Sequence, residues 1–447
     1  METNRLETEP MGGLLLRFSL PAIVSMTIVS LYNIISSIFI GQGEGALAIT
    51  GLAVTFPFMN LVLAVCMMVA IGGATVCSIE LGAKRPERAA MVLGHGVVLS
   101  VLFAVLFAAV SLALLNPILY MFGASNDTLP YARDYMEVIL WGAPVGNLML
   151  ALNHFMRASG YPTRSMLMSL LSVGLNLILT PLFIFGFHWG IRGAAIATVI
   201  SQLASLLAML FHFCSKKSSV HFQSGIFRLR ASVARSMLAI GLAPFLMNVC
   251  ACLVVVVINL SLRHYGGDLS IGAYGIANRL LLLFAMVIFG ITQGMQPLVG
   301  YNFGARRMDR VRLTLRYGVI AGTVVTSTGF VAFQFFPEPL ARLFTTHPDL
   351  IAMAVNGLRL CTPAFFLVGS QIIIAAYFQS MGRASIAIFL SLSRQLVFLI
   401  PGLLILPCFI GLDGVWISLP VADVLAFIVT VIILRYASRS RTRPSLP

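Results

Sequence analysis

Gly82-Ala83-Lys84-Arg85-Pro86-Glu87-Arg88 is the stretch that decides the fold, because its pattern returns 222 positions later as Gly304-Ala305-Arg306-Arg307-Met308-Asp309-Arg310. Other pairs keep the same or nearly the same offset: Gly72 and Gly294, Gly160 and Gly382, Pro21 and Pro244, Gly51 and Gly275, Gly193 and Gly414. A nearly constant offset along most of the chain indicates an internal repeat of one structural unit.

The composition is that of an integral membrane protein. Of the 447 residues, 59% are hydrophobic and only 10% are charged, and the mean hydropathy is +0.96. Soluble domains carry about 25% charged residues, which they need to cover their surface. The composition therefore argues against a soluble enzyme, a DNA-binding protein and a disordered scaffold.

Twelve apolar stretches are long enough to cross a bilayer, which takes roughly 20 residues as a helix. Open sheets would leave backbone groups unpaired in lipid, so each span is expected to be helical. The expected spans are 14–40, 46–70, 90–115, 131–157, 163–187, 192–214, 232–264, 272–298, 311–336, 350–378, 385–410 and 413–435.

Each repeat contains six spans, an even number, so the two halves have the same orientation in the membrane. The sequence thus predicts an all-α membrane protein with two parallel six-helix lobes around a central cavity. Residues 1–214 form the first lobe and residues 232–447 form the second lobe, which ends in a short basic tail. Residues 215–231 are expected to be a solvated or surface-lying cytoplasmic linker.

The basic residues predict the orientation. One set of loops and tails holds 22 Lys and Arg residues, whereas the opposite set holds 4. By the positive-inside rule, both termini and the loops at 82–88 and 304–310 are cytoplasmic. This pattern accounts for the net charge of +14 without a nucleic-acid partner. Glu80 and His95 lie near the cytoplasmic boundary and are expected to be solvated.

The sequence lacks the motifs of common catalytic sites. It contains no H-E-x-x-H, no Cys-x-x-Cys, no phosphate-binding loop and no nucleophile elbow. We therefore expect no enzyme activity, no cofactor and no metal site. Since the chain has no nucleotide-binding domain, transport would take its energy from an ion gradient, a partner or the substrate's own gradient.

Several short motifs, in this order and with this twofold repetition, resemble the multidrug and toxic compound extrusion (MATE) family. They are Leu31-Tyr32-Asn33, Phe39-Ile40-Gly41, Gly82-Ala83-Lys84, Arg157-Ala158-Ser159-Gly160, Gly193-Ala194-Ala195, Gln293-Gly294-Met295-Gln296-Pro297 and Tyr301-Asn302-Phe303-Gly304-Ala305. The resemblance covers nearly the whole chain and is strongest to bacterial, staphylococcal-type multidrug exporters.

The resemblance implies a secondary active efflux transporter that exports small amphipathic, often cationic compounds by alternating access. It implies an H⁺ or Na⁺ antiporter, expected here as a monomer in the bacterial plasma (inner) membrane. The alternative is a lipid-linked precursor flippase of the same superfamily, which often has more spans and a more cationic cavity.

Ionisable residues inside a membrane are costly and therefore candidates for function. Asp423 and Arg394 are both expected near mid-membrane, where they could pair, and Arg359 is the competing partner. Three roles remain open for Asp423: a static ion pair, a protonatable coupling site or a substrate contact. Glu137 is the second coupling candidate, unless it is an interfacial carboxylate that reaches water.

The resemblance also implies a first-lobe cation site with acids in the first and fifth spans. Here those positions hold Ser36 and Thr180, and Asn153, Asn176 and Thr198 match the neutral members of the network. The acids of sodium-coupled relatives in the seventh and tenth spans are also missing. The coupling role is therefore expected to fall on Asp423.

Polarisable and aromatic side chains suit a cavity that accepts many compounds, because Met adapts its shape and aromatic rings attract cations. The candidates for the cavity lining are Met26, Tyr32, Asn33, Met59, Phe284, Gln293, Gln296 and Gln371.

Overall fold

The computed structural model describes residues 6–215, 218–223 and 225–439, except for the side chains at positions 33, 34, 41, 46, 49, 268, 438 and 439. Within these ranges the regular structure is entirely helical. This follows from the apolar composition of the spans, since a helix pairs its own backbone groups without help from water.

The first lobe contains six long helices. They are α1 (Met11–Glu44), α2 (Ala46–Gly82), α3 (Pro86–Ala113), α4 (Leu129–Ala158), α5 (Pro162–Gly186) and α6 (Gly190–Cys214). A short helix, Leu115–Met121, follows α3. The last turn of α5, Leu182–Gly186, is π-helical and directly follows Pro181.

The second lobe has the same order of helices. They are α7 (Ala231–Gly267), α8 (Leu269–Gly304), α9 (Met308–Phe335), α10 (Pro348–Cys361 and Phe365–Ser380), α11 (Ala384–Ile410) and α12 (Leu412–Arg439). A short helix, Pro337–Arg342, follows α9. The two parts of α10 meet at 57°, and with this bent pair counted as one span the described chain has the twelve predicted spans.

The repeat extends to unusual backbone conformations. Lys84 and Arg306, at equivalent positions of the two halves, have positive φ angles of 59° and 58°. Such angles are uncommon for residues other than glycine. Gly45 and Gly267, which are also equivalent, separate α1 from α2 and α7 from α8 at φ angles of 83° and 69°. The two lobes therefore share their turns as well as their spans.

The lobes meet along a seam between α1 and α2 on one side and α7 and α8 on the other. We call the end of the bundle with the loops 82–86 and 304–308 the basic end, and the opposite end the far end. At the basic end, the carbonyl oxygen of Tyr301 occupies the space where a Cβ on Gly82 would lie. The carbonyl oxygen of Ile79 does the same at Gly304, so the seam obeys the repeat.

The apolar cores show where the lobes are joined. One core at the basic end contains buried residues from both lobes, among them Phe18, Phe155, Met237 and Met295. Further toward the far end, each lobe has a core of its own; these two cores are centred on Phe58, Met136 and Ile184 and on Ile258, Leu358 and Trp416. The lobes are thus packed together at the basic end and have separate cores toward the far end.

The described part of the linker is packed on the first lobe, so of the two predicted forms, solvated or surface-lying, it is not the freely solvated one. Val220 and Ile226 are buried, and the carbonyl oxygen of Ile226 lies against Gly94 of α3. The expected solvation of His95 is wrong, since its side chain is fully buried beneath this linker. The basic composition of the segment concealed the apolar residues that fix it to the lobe.

Candidate transport site

A buried ion pair occupies the interior of the second lobe. Arg394 of α11 donates a hydrogen bond from Nε to Oδ1 of Asp423 on α12, at 2.6 Å. The Asp423 side chain is 5% exposed and that of Arg394 is 29% exposed. Arg359, the competing partner, lies on the first part of α10 and its side chain is exposed. Of the two predicted partners, the structure brings Arg394 to Asp423.

Two helices lose their regular geometry around this pair. Arg394 lies within a π-helical segment, Ser393–Leu399, and Cys361, at the break in α10, is close enough to Asp423 to interact with it electrostatically. Irregular turns of this kind free backbone groups and are common at functional sites. The pair therefore lies beside two irregular stretches of helix, the π-helical segment of α11 and the break in α10.

Glu137 lies in a different environment, at the far end of the first lobe. Its carboxylate is 3.7 Å from Arg192, which also lies 3.8 Å from Asp134. The three side chains are 36%, 53% and 46% exposed. Exposed ion pairs of this kind contribute about 0–1 kcal/mol to stability, so this geometry favours the interfacial interpretation of Glu137.

Three of the five first-lobe network residues form one hydrogen-bonded group, which we call the polar trio. Thr180 donates to Oδ1 of Asn176 at 2.5 Å, and Asn176 donates from Nδ2 to Thr198 at 3.0 Å. Thr198 in turn donates to the carbonyl oxygen of Ala194. The trio joins α5 to α6 and contains no charged group. In the described part of the chain, no group of three or more His, Cys, Asp and Glu side chains could hold a metal ion.

The other two residues predicted for this network lie elsewhere. Asn153 of α4 is buried and bonds to the start of α5, donating to the carbonyl oxygen of Ser165 at 3.0 Å and to Ser169 Oγ at 3.1 Å. Ser36 is half-buried on α1, and the bonds described for the polar trio do not include it. The sequence did not predict that Asn153 bonds near the start of α5 whereas Asn176 bonds near its end.

Three of the predicted cavity residues meet at the seam. The Nε2 atom of Gln293 on α8 lies 3.4 Å from Sδ of Met26 on α1. Gln296, one turn further along α8, donates to Thr75 Oγ1 at 2.7 Å and to the carbonyl oxygen of Ile71 at 3.2 Å, both on α2. These residues lie in the half of the helices nearer the basic end. They join the two lobes rather than standing free.

The remaining cavity candidates are spread over both lobes. Met59 packs in the first-lobe core, whereas Phe284 packs edge-to-face on Phe333 and Phe365 in the second. Tyr32 is half-buried on α1, and the side chain of Asn33 lies outside the described residues. Gln371 is buried with neither amide atom hydrogen-bonded to a described group, an arrangement that suits a bound polar molecule.

Arg157, the last residue of the predicted span 131–157, is a further residue at this interface that was not among the predicted site residues. It lies in the last turn of α4, is 7% exposed, and donates from Nη1 to Oε1 of Gln293 in the other lobe. Its position in the last turn of a span was the available signal. The partner belongs to the other lobe, however, so its burial depends on tertiary packing that no local pattern contains.

The MatE family model matches the chain twice, at residues 21–182 and 243–404. The second match begins and ends 222 positions after the first, which is the offset of the internal repeat, and together they cover most of the chain. The chain belongs to the MatE family. The resemblance found in the sequence is confirmed, and the two-lobe helical architecture is that of a MatE-family membrane transporter.

Relatives in the MatE family match the chain over nearly its full length. The multidrug export protein MepA of Staphylococcus haemolyticus is 29% identical over 428 residues, which are 96% of this chain and 94% of the relative. MepA of Staphylococcus aureus is 29% identical over 97% of this chain and 96% of its own.

Solved structures agree with this fold. The MATE multidrug transporter DinF-BH, determined as a complex, is 36% identical with a TM-score of 0.88 over 96% of both chains. An outward-facing multidrug-resistance transporter of the family gives a TM-score of 0.92 over 98% of both chains at 23% identity, which supports the fold. The relatives named here do not support the flippase alternative.

Proposed function

We propose that this protein exports small amphipathic, often cationic drug-like compounds across the bacterial plasma membrane by alternating access. It acts as a monomer of two lobes, residues 1–214 and 232–447, joined by the linker 215–231. The observation that carries the proposal is that the two lobes are packed differently at the two ends of the seam. The lobes share one core at the basic end and have separate cores toward the far end.

The orientation follows from the charges of the loops. The basic end carries the loops around Lys84 and Arg306 and is placed in the cytoplasm by the positive-inside rule. The conformation described above is then closed toward the cytoplasm. The opposite conformation would separate the seam at Gly82 and Gly304 and join the lobes at the far end. Two lobes with equivalent contacts can exchange these states by rocking.

The inner end of the pathway combines soft, neutral groups with one buried cation, Arg157, which bonds to Gln293. Met26, Gln293 and Gln296 link the lobes there, and none of these side chains carries a charge. A thioether adapts its shape to different apolar partners, and primary amides can either donate or accept hydrogen bonds. Such a surface suits compounds that share amphipathic character rather than one shape. The protein carries out no chemistry on its substrate and uses no cofactor.

For coupling we assign the leading role to Asp423, with Glu137 as second choice. Asp423 is a buried carboxylate with one charged partner, Arg394, at 2.6 Å. A proton or a sodium ion that reaches Asp423 competes with Arg394 for the same oxygen atoms, so binding alters contacts between α11 and α12. The polar trio has no charged ligand and would hold a monovalent cation weakly.

The test is expression in a host without its own efflux pumps, followed by drug susceptibility over a panel of amphipathic cations, zwitterions and neutral compounds. We expect resistance to several cationic compounds. The purified protein in liposomes should then exchange drug for protons or sodium only when an ion gradient is imposed. Equal efflux with and without a gradient would contradict antiport, and single-channel currents would contradict a carrier.

A further inference from the structure

A short segment before α1 crosses the seam at the basic end. We call Leu6–Glu9 the N-terminal strap. Although it leads into the first lobe, it is bound by the second. Arg310 of α9 donates from Nη2 to the carbonyl oxygen of Leu6 at 3.1 Å and to that of Glu9 at 2.7 Å. Leu6 itself is 1% exposed and belongs to the core shared by both lobes.

Neighbouring residues fix the strap to the seam. Tyr301 donates from its hydroxyl to Oε1 of Glu7 at 3.2 Å, and its carbonyl oxygen is the one that lies against Gly82. Asn302 orients the arginine, because its Oδ1 accepts from Nε of Arg310 at 3.1 Å. The strap is therefore attached to the residues that close the basic end.

The repeat provides a counterpart for the strap in the linker. The equivalent positions in the second half are 228–231, which lead into the second lobe but lie on the first. There the backbone N–H of Arg230 donates to Nε2 of His95 at 2.7 Å, and Nδ1 of His95 lies 2.8 Å from the carbonyl oxygen of Met91. Each lobe thus has a leading segment that is bound by the other lobe.

The two crossing segments are held by different groups. The first-lobe equivalent of Arg310 is Arg88, which is exposed on the surface of α3. The linker is instead bound by a buried histidine ring and by apolar residues. The N-terminal strap depends on one half-buried arginine and one tyrosine hydroxyl, which form its described polar bonds to the second lobe.

We infer that the N-terminal strap is a latch that stabilises the closed basic end. This inference rests on the proposed alternating access. One residue, Pro10, separates Glu9 from the start of α1 at Met11, so the chain has a reach of about 7 Å between them. The connection already spans part of this length, so even a smaller separation of the lobes breaks the bonds of Arg310 to the strap. Opening of the basic end therefore requires the strap to leave Arg310.

The experiment uses the full chain in lipid nanodiscs, with spin labels at positions 86 and 308 on the two repeated loops. Double electron–electron resonance then gives the distances between the lobes at the basic end. Arg310→Gln should increase the population at the longer distance at least about threefold. The substitution removes bonds that exist only in the closed state, so it destabilises the closed state relative to the open one. Tyr301→Phe keeps the ring and removes one bond, so it should give a smaller increase.

Arg307→Gln is the matched control. It makes the same change of charge three positions earlier in the chain, but Arg307 is paired with Asp309 and is not bonded to the strap. Wild-type distances are expected for it. Equal distributions in wild type, Arg310→Gln and Tyr301→Phe would overturn the latch, as would an equal increase in Arg307→Gln.

The two proposals fail in different ways. In one outcome, the wild type shows two distances that drug redistributes while Arg310→Gln and Tyr301→Phe have no effect. That result would leave alternating access intact and overturn the latch. A single wild-type distance that neither drug nor an ion gradient alters would overturn the rocking itself, and the latch with it.

Discussion

Gly82 of the first lobe lies against the carbonyl oxygen of Tyr301 of the second, with no room for a Cβ between them. The repeat places Gly304 against Ile79 in the same manner. Contacts between a glycine and a main-chain carbonyl on the opposite helix bring two helices unusually close. They also leave no flexible side chain that could adjust if either glycine were replaced.

Replacement of Gly82 by alanine should therefore open the basic end. Overpacking of this kind costs about 1–3 kcal/mol, which corresponds to a roughly 5- to 150-fold shift between two states. Spin labels at positions 86 and 308 should report the longer distance, and drug efflux should fall. Gly275→Ala is the control, since among the described residues no atom outside its own stretch of α8 would contact a Cβ at that position. Wild-type efflux by Gly82→Ala would contradict the closure assigned to the seam.

Asp423→Asn should abolish drug-induced proton or sodium exchange. Because the change leaves Arg394 without its partner, it should also lower the free energy of unfolding by roughly 3–5 kcal/mol. The double variant Asp423→Asn with Arg394→Gln removes both charges and should recover stability but not coupling. Proton release on drug addition, measured in folded and inserted protein, separates the two effects.

A surface carboxylate provides the control for this experiment. Asp349 lies exposed in the first turn of α10, so Asp349→Asn should retain exchange. If Asp423→Asn or the double variant keeps wild-type exchange, Asp423 is structural and the coupling assignment is wrong.

The neutral polar trio should gain sodium affinity when it receives a charge. Thr180→Asp places a carboxylate beside Asn176, and its attraction for a cation should lower the sodium concentration for half-maximal efflux at least about tenfold, or ~1.4 kcal/mol. Thr180→Asn has nearly the same shape without the charge and is the matched control. Equal sodium dependence in the two variants would show that the first lobe does not bind the coupling ion.

The orientation can be tested by cysteine labelling in intact cells. The seven native cysteines are free thiols and are replaced first. A membrane-impermeant reagent should then modify cysteine at position 127 or 347, both at the far end, but not at position 308 at the basic end. Modification of position 308 from outside would reverse the orientation proposed above.

Much of the fold could be predicted because a membrane span is a local property of about 20 apolar residues. The constant offset between Gly82 and Gly304 then gave the arrangement of the lobes. The contacts of buried polar residues could not be predicted in the same way. Arg157 and His95 both lie near the ends of spans, where water is the usual partner, and both are buried by segments distant in sequence.

The candidate site illustrates the same limit. Depth in the membrane predicted Arg394 and Arg359 equally as partners of Asp423, and only the packing of α11 against α12 selects Arg394. Asn153 and Asn176 belong to two separate hydrogen-bonded groups, and this depends on which faces of α4, α5 and α6 meet. The sequence contains no repeat or charge pattern that specifies those faces.

The contact between Arg394 and Asp423 has an electrical consequence. Each elementary charge that crosses a membrane potential of 100 mV exchanges about 2.3 kcal/mol with the field. The paired residues carry no net charge, so a movement of the second lobe would displace this pair without electrical work. A proton bound to Asp423 would leave the positive charge of Arg394 unbalanced. If Asp423 is the coupling group, voltage acts on the pair when it carries the proton, and an inside-negative potential then favours its movement toward the cytoplasm.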